Sequence, residues 1–282
     1  SAASDVYKRQ GLYNYVGGGG CNQTSNVYST VSGGYKNENN RSYSFIGGGR
    51  QNVVNTDLSV IVGGFQNVTN SGYYDYNNII VGGSNNTISS YDSFIGGGRG
   101  NVVSCGTGTI VGGYQNTASN YDAFVGGGRG NTAAGNASLV VGGRYNTTCS
   151  ACSVIIGGDN NCADSNNTPY SFIGTGNLNC IRDTANHSTI SNGFYNCVYG
   201  SSCYSTIDNG CCNTISSNYG CSTILNGYCN TISAYNGNSI LNGYCNTISA
   251  YGQNTISNGY CNTISTYNGT ILNGGSNTVS NG

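Results

Sequence analysis

The sequence predicts an all-β fold, a parallel β-solenoid of about seventeen coils that repeats roughly every 15–17 residues. Three observations lead there. An Asn recurs seventeen times from Asn22 to Asn277, mostly at a spacing of 15, with one spacing of 19, one of 18, and 16 or 17 toward the C-terminus. Every one of these has Gly three places earlier, from Gly19 to Gly274, and Ile or Val six places earlier. A fixed period of this size marks a stack of identical supersecondary units. Helical periodicity is absent, and the 47 glycines would each cost a helix about 1 kcal/mol relative to Ala. The coils are therefore expected to be β.

Each period is expected to hold a four-residue strand such as Ser44–Gly47, a glycine corner at Gly48–Gln51, a second strand at Asn52–Asn55, and a polar loop of variable length. Side chains alternate across a strand, which puts Ile46 and Val54 on one side and Phe45 and Val53 on the other. The recurring Gly fits a corner with φ > 0, where a Cβ is strained. Its predecessor is Gly from Gly18 to Gly157 and Asn from Asn192 to Asn273, as though the same backbone demand applied there, since Asn tolerates that conformation next best. The repeating Asn is expected to turn inward and build a hydrogen-bonded ladder. In the C-terminal coils this ladder comprises Gly193, Asn196, Gly210, Asn213, Gly227, Asn230, Gly243, Asn246, Gly259 and Asn262.

Composition narrows the function classes. Charged residues are 7% of the chain and the net charge is −1, so no basic surface for nucleic acid is implied. No run of about 18 apolar residues exists to span a membrane. Fourteen cysteines point to an oxidising, extracellular setting, yet most follow the repeat. Cys212, Cys229, Cys245 and Cys261 precede the repeating Asn, and Cys162, Cys180 and Cys197 follow it. Stacking would set such residues roughly 4.8 Å apart, a spacing disulfide geometry allows; the alternative is cysteine as a small ladder-forming residue. Residues 1–10 (SAASDVYKRQ) read like a translated sequencing adapter and are set apart from the solenoid at 11–282. With the stop in mid-pattern at Asn281-Gly282, the chain is expected to be an open fragment of a longer, environmentally sequenced protein.

Two further rows stand out. Seven places before the Asn lie Phe45, Val60, Ile79, Phe94, Phe124, Leu139, Val154 and Phe172, an apolar line too long to leave in water. Self-association about a common axis would cover it. Toward the C-terminus this position becomes Thr189, Thr206, Thr223, Ser239, Thr255 and Thr270, while Leu225, Leu241 and Leu272 stand two places on. Two places before the Asn, an outward corner carries Arg50, Arg99, Tyr114, Arg129, Arg144, Tyr228, Tyr244 and Tyr260. Such planes could stack on sugar rings or pair with anionic glycans, or merely stack on one another.

The pattern Ser-x-Ile-x-Gly-Gly-x-x-Asn-x-Val at Ser44–Val54 resembles the repeats in the heads of trimeric autotransporter adhesins, and it is similar to Gly-Gly-rich repeats of phage and large-virus fibres. The resemblance covers nearly all of residues 11–282. It implies a left-handed β-roll assembled as a homotrimer that displays a host-glycan or protein-receptor surface. The recurring Thr-Ile-Ser at Thr214, Thr231, Thr247 and Thr263 resembles, in turn, the hydroxyl arrays of insect-type ice-binding solenoids.

Enzymatic chemistry finds little to use. His187 is the single histidine and has no nucleophile and acid at recognisable spacing. Cys149 and Cys152 form one CxxC without a second half, an improbable zinc site. No cofactor is implied. The expected function is non-enzymatic attachment at a cell or virion surface, carried by the outer corner row and by the longest loops, Ser71–Asn77 and Ala163–Tyr170. The alternatives are ice binding and a purely structural spacer.

Overall fold

The computed structural model describes residues 8–9, 11–70, 76–164, 169–216 and 220–280. Among these residues there are 35 strands, each of two or three residues, and no helix. The strands alternate along the chain between two parallel sets. Leading strands, such as Phe45–Ile46, enter the glycine corner, and trailing strands, such as Val53–Val54, leave it. Phe45 pairs with Val60 and Ile46 with Ile61 one coil on, just as Val53 pairs with Val68. The chain is thus a parallel β-solenoid in which most coils take about 15 residues. Strand assignment is shorter than the expected four residues, but the hydrogen bonds run on: Phe45 N–H donates to Ser59 O at 2.9 Å and Gly47 N–H to Ile61 O at 3.0 Å. Register follows from the alternation, because a slip of one residue would turn the whole Ile row outward.

Two compact units are present, Ser1–Ala134 and Gly135–Gly282. In the first, Ile46, Ile61, Ile80, Ile95 and Ile110 are fully buried together with Val54, Ile88 and Val103 from the trailing strands. Smaller or polar residues, among them Asn39, Thr69, Ala118 and Ala133, complete that second row. The second unit is more uniformly apolar, with one continuous cluster from Ile155 to Ile271 that includes Ile181, Ile215, Ile232, Ile248 and Ile264. The backbone of Lys8–Arg9, inside the stretch set apart as an adapter, pairs in parallel with Gln23–Thr24.

At the corner the recurring Gly has φ between +84° and +132°. A Cβ on it would press against the carbonyl of the next coil's Gly. Its predecessor behaves otherwise, and the expectation of a shared backbone demand is corrected here. Gly33, Gly48 and Gly63 do not have positive φ, and a Cβ on any of them would meet nothing within 4 Å. Asn replaces them from Asn192 onward for a different reason: Asn226 and Asn242 each accept the N–H of the following Gly on the side-chain oxygen at 2.8 Å. The left-handed conformation falls instead on the residue just before the repeating Asn, such as Gln51 (φ 56°), Tyr195 (57°) and Cys229 (54°). It recurs in the polar loops at Tyr28, Tyr43, His187 and Tyr204. Each such residue costs about 1–2 kcal/mol, and their varied chemistry hides the demand from a sequence pattern.

The Asn ladder runs through the interior of each unit. Asn52 N–H donates to Asn37 Oδ1 at 3.0 Å, and Asn52 Nδ2 donates to Gly48 O and Gly64 O, both at 3.0 Å. In the second unit, Asn196, Asn213, Asn230 and Asn246 donate to the carbonyls of Gly210, Gly227, Gly243 and Gly259, each at 3.0 Å. Gly193 accepts in the same way from Asn179 at 2.9 Å, and Asn262 passes the pattern to Gly274 at 2.9 Å. A second polar ladder, to which sequence reasoning assigns no role, stands eight places before the Asn. Ser59 N–H donates to Ser44 Oγ at 3.2 Å, Asn78 N–H to Ser59 Oγ at 3.0 Å, and Ser222 N–H to Ser205 Oγ at 3.2 Å. Both ladders meet the requirement that buried backbone groups be paired where the chain turns and strand pairing lapses.

Candidate functional surfaces

The outer corner row is a third line of parallel pairing, with Tyr35 beside Arg50 and Arg50 beside Phe65. In the first unit its planes lie over one another. The Arg50 guanidinium sits 5.8 Å from the Tyr35 ring and 5.7 Å from Phe65, and Tyr114 is flanked by Arg99 at 5.9 Å and Arg129 at 5.5 Å. In the second unit Tyr228 and Tyr244 stack at 5.3 Å and 6°. Tyr260 continues that line and lies over Gly275. Arg144 pairs with Asp159, whose carboxyl it holds below the usual carboxylate range by hydrogen bonding and charge. The faces of these groups are therefore engaged along the stack, leaving ring edges and outward N–H groups for a ligand.

The apolar row lies on the outer face of the leading strands. Phe45, Ile79 and Phe172 are exposed, and Val60, Phe94, Phe124, Leu139 and Val154 are partly covered. Two places further along the leading strands, the structure exposes a second line that the sequence reading takes up only for its C-terminal leucines: Val62, Val81 and Val111 in the first unit, Val141 and Ile156 in the second. The two lines are complementary in volume. Where the first holds Phe45, Phe94 or Phe172, the second holds Gly47, Gly96 or Gly174, and a Cβ on that Gly would stand 3.2, 3.2 or 3.5 Å from the ring. Where the first holds Val60, Ile79 or Leu139, the second holds Val62, Val81 or Val141. In these coils large and small alternate, so that each of them presents a similar apolar volume.

From Thr189 onward this position becomes hydroxylic. Thr206, Thr223, Ser239, Thr255 and Thr270 stand in register on the leading strands. Thr214, Thr231, Thr247, Thr263 and Thr278 do the same on the trailing strands. Ser233, Ser249 and Ser265, two places after the trailing threonines, are exposed beside them.

His187 is stacked between Tyr170 and Tyr204 at 4.9 and 4.7 Å, which accounts for it as part of an aromatic loop ladder. Cys149 and Cys152 are half-buried, and burial together with the Asp164 carboxylate pushes the Cys149 thiol up. Among the described residues no group of three His, Cys, Asp or Glu side chains is placed to hold a metal ion. No helix in them is long and apolar enough to cross a membrane. Residues 71–75 and 165–168, which make up much of the two loops expected to carry recognition, lie outside the described residues. No protein-family model matches this chain, and no curated protein matches it.

Proposed function

We propose that this is a non-enzymatic fibrous protein of an extracellular, cell or virion surface, assembled as a homotrimer and serving attachment. The observation that carries this reading is the volume-matched apolar face formed by Phe45, Val60, Ile79 and Phe94 with Gly47, Val62, Val81 and Gly96. Exposed apolar patches of this extent mark interaction sites. An even, repeating relief also suits a partner with the same repeat, namely further copies of the chain about one axis. A left-handed β-roll of the adhesin or fibre type is the architecture it best fits. Attachment is assigned to the outward corner row Arg50, Arg99, Tyr114, Arg129, Arg144, Tyr228, Tyr244 and Tyr260, with a host glycan or protein receptor as partner. Sedimentation is expected to give three times the chain mass, and Val62→Asp with Val81→Asp is expected to give monomers of unchanged circular dichroism. A wild-type monomer would overturn the trimer. The trimer is further expected to lose glycan-array binding when Arg50, Arg99 and Arg129 are replaced by Ala.

A second reading rests on a separate observation. The in-register Thr231, Thr247 and Thr263 with Ser233, Ser249 and Ser265 give the second unit two parallel lines of hydroxyls. On that reading the chain binds ice. Thermal hysteresis that disappears in Thr231→Lys with Thr247→Lys would favour it over attachment; its absence from the purified wild type would dismiss it.

A further inference from the structure

The trailing strands of the second unit bring three cysteines into one register. Cys162 stands beside Cys180, and Cys180 beside Cys197, on strands Cys162–Asp164, Cys180–Arg182 and Cys197–Val198. All three are half-buried free thiols on the outward side, while their neighbours Ala163, Ile181 and Val198 fill the core. The middle and last thiols open onto a groove of about 400 Å³, lined also by Arg182, Tyr195, Tyr199 and Cys212. Arg182 shares the outward side of its strand with Cys180, and its guanidinium lies 5.2 Å from the Tyr199 ring. Asp164 stands opposite Arg182 on the Cys162 strand. Charge is therefore uneven along the ladder, with the Asp164 carboxylate near Cys162, the Arg182 guanidinium near Cys180, and both Arg182 and the Asp183 carboxylate near Cys197.

We propose that Cys180 is a site of thiol–disulfide exchange that takes a low-molecular-weight disulfide, with Cys162 or Cys197 as the resolving thiol. Its place in the middle of the ladder carries the argument. Of the three it alone has one of the others on both sides, so a negative charge on its sulfur accepts hydrogen bonds from both, and Arg182 adds to this. Those donors, Cys162 and Cys197 first and Arg182 after them, hold the Cys180 thiol below the ordinary thiol range. The hydrogen bond to Cys180 and burial push Cys162 and Cys197 up. The thiolate is the attacking species, so attack falls to Cys180.

The exchange proceeds in two displacements. The Cys180 thiolate attacks one sulfur of the small disulfide, whose S–S bond breaks; one thiolate leaves and a mixed disulfide forms on Cys180. The neighbouring Cys162 or Cys197 then loses its proton to the departed thiolate and attacks the Cys180 sulfur. This expels the second small thiolate and closes a protein disulfide. Two protein thiols are oxidised and one small disulfide is reduced to two thiols. Neighbours one coil apart lie about 4.8 Å apart, inside the span a disulfide bridges. Cys162 and Cys197 are two coils apart, roughly 9.6 Å by the same spacing, and cannot be joined directly.

The test is differential alkylation and peptide mapping of the intact chain, with oxidised glutathione as the probe. Limiting iodoacetamide is expected to label Cys180 at least about tenfold faster than Cys162 or Cys197, and Arg182→Gln is expected to slow that labelling. Oxidised glutathione is expected to yield Cys180 joined to Cys162 or to Cys197, and Cys180→Ser is expected to leave both neighbours reduced. Equal labelling of the three thiols in the wild type would overturn the proposal without recourse to any variant. Oxidation of Cys162 or Cys197 that persists in Cys180→Ser would overturn it equally. A mixed disulfide that stays on Cys180 would overturn the resolving step.

Discussion

Gly113→Ala is expected to destabilise the chain by at least about 3 kcal/mol, while Gly112→Ala, one residue away, should change it by less than about 0.5 kcal/mol. The two residues are indistinguishable in composition. Gly113 has φ +95°, outside the range an L-residue adopts without strain. A Cβ there would stand 2.9 Å from Gly128 N and closer still to the Gly128 carbonyl oxygen and the Asn116 side chain. Two backbones and a buried Asn would have to move apart, and the Tyr114 N–H to Gly128 O bond of 2.9 Å goes with them. A Cβ on Gly112 meets nothing within 4 Å. Urea unfolding followed by circular dichroism separates the pair; equal midpoints would show that the coils are not stacked at this distance.

The second large effect is expected at Asn230. Its Nδ2 donates to Gly243 O at 3.0 Å and to Asn213 Oδ1 at 3.1 Å, and its Oδ1 accepts Asn246 N–H at 3.1 Å. Asn230 and Asn246 are both fully buried. In Asn230→Ala the buried Asn246 N–H loses its acceptor, whereas the Gly243 carbonyl keeps the Tyr228 N–H at 2.9 Å. One stranded buried group costs about 1–3 kcal/mol, and the loss is expected within that range. Thermal melting would read this directly. Asn226→Ala serves as the control, because Asn226 lies on the outside of the same corner and only its Gly227 N–H bond is lost. A melting temperature unchanged in Asn230→Ala would remove the ladder as a source of stability.

Particular residues show how far the sequence can be read. The Ile or Val row, the glycine with φ > 0 and the inward Asn are legible because each is a demand on one residue type, repeated once per coil. Only Gly tolerates that corner, only a β-branched apolar side chain suits the inner strand position, and Asn alone supplies both donor and acceptor at that length. The left-handed residue before the Asn is not legible. Gln51, Tyr145, Leu178 and Cys229 all occupy it, since the stack on either side holds the backbone there and absorbs the strain. Nor is the Ser44–Ser59–Asn78 ladder, whose serines read as ordinary strand-edge polar residues until the coils are superposed. The line of Val62, Val81 and Val111 escapes notice in the first unit because Gly47, Gly96 and Gly126 interrupt it. The interruptions at Gly47 and Gly96 make sense only when each Gly is seen beneath a Phe ring.

The sequence by itself therefore determined the class of fold, the coil length, the inside and outside of each strand, and the identity of the interior Asn ladder. Periodicity and single-residue steric demands are local properties, and a repeat prints them many times over. Tertiary structure alone decided which of two adjacent glycines is indispensable, which charged groups flank each cysteine of the ladder, and how aromatic and guanidinium planes pair along the outer corner. Those depend on what the neighbouring coil places a few ångströms away, a short distance in space that corresponds to one whole turn of the repeat along the chain.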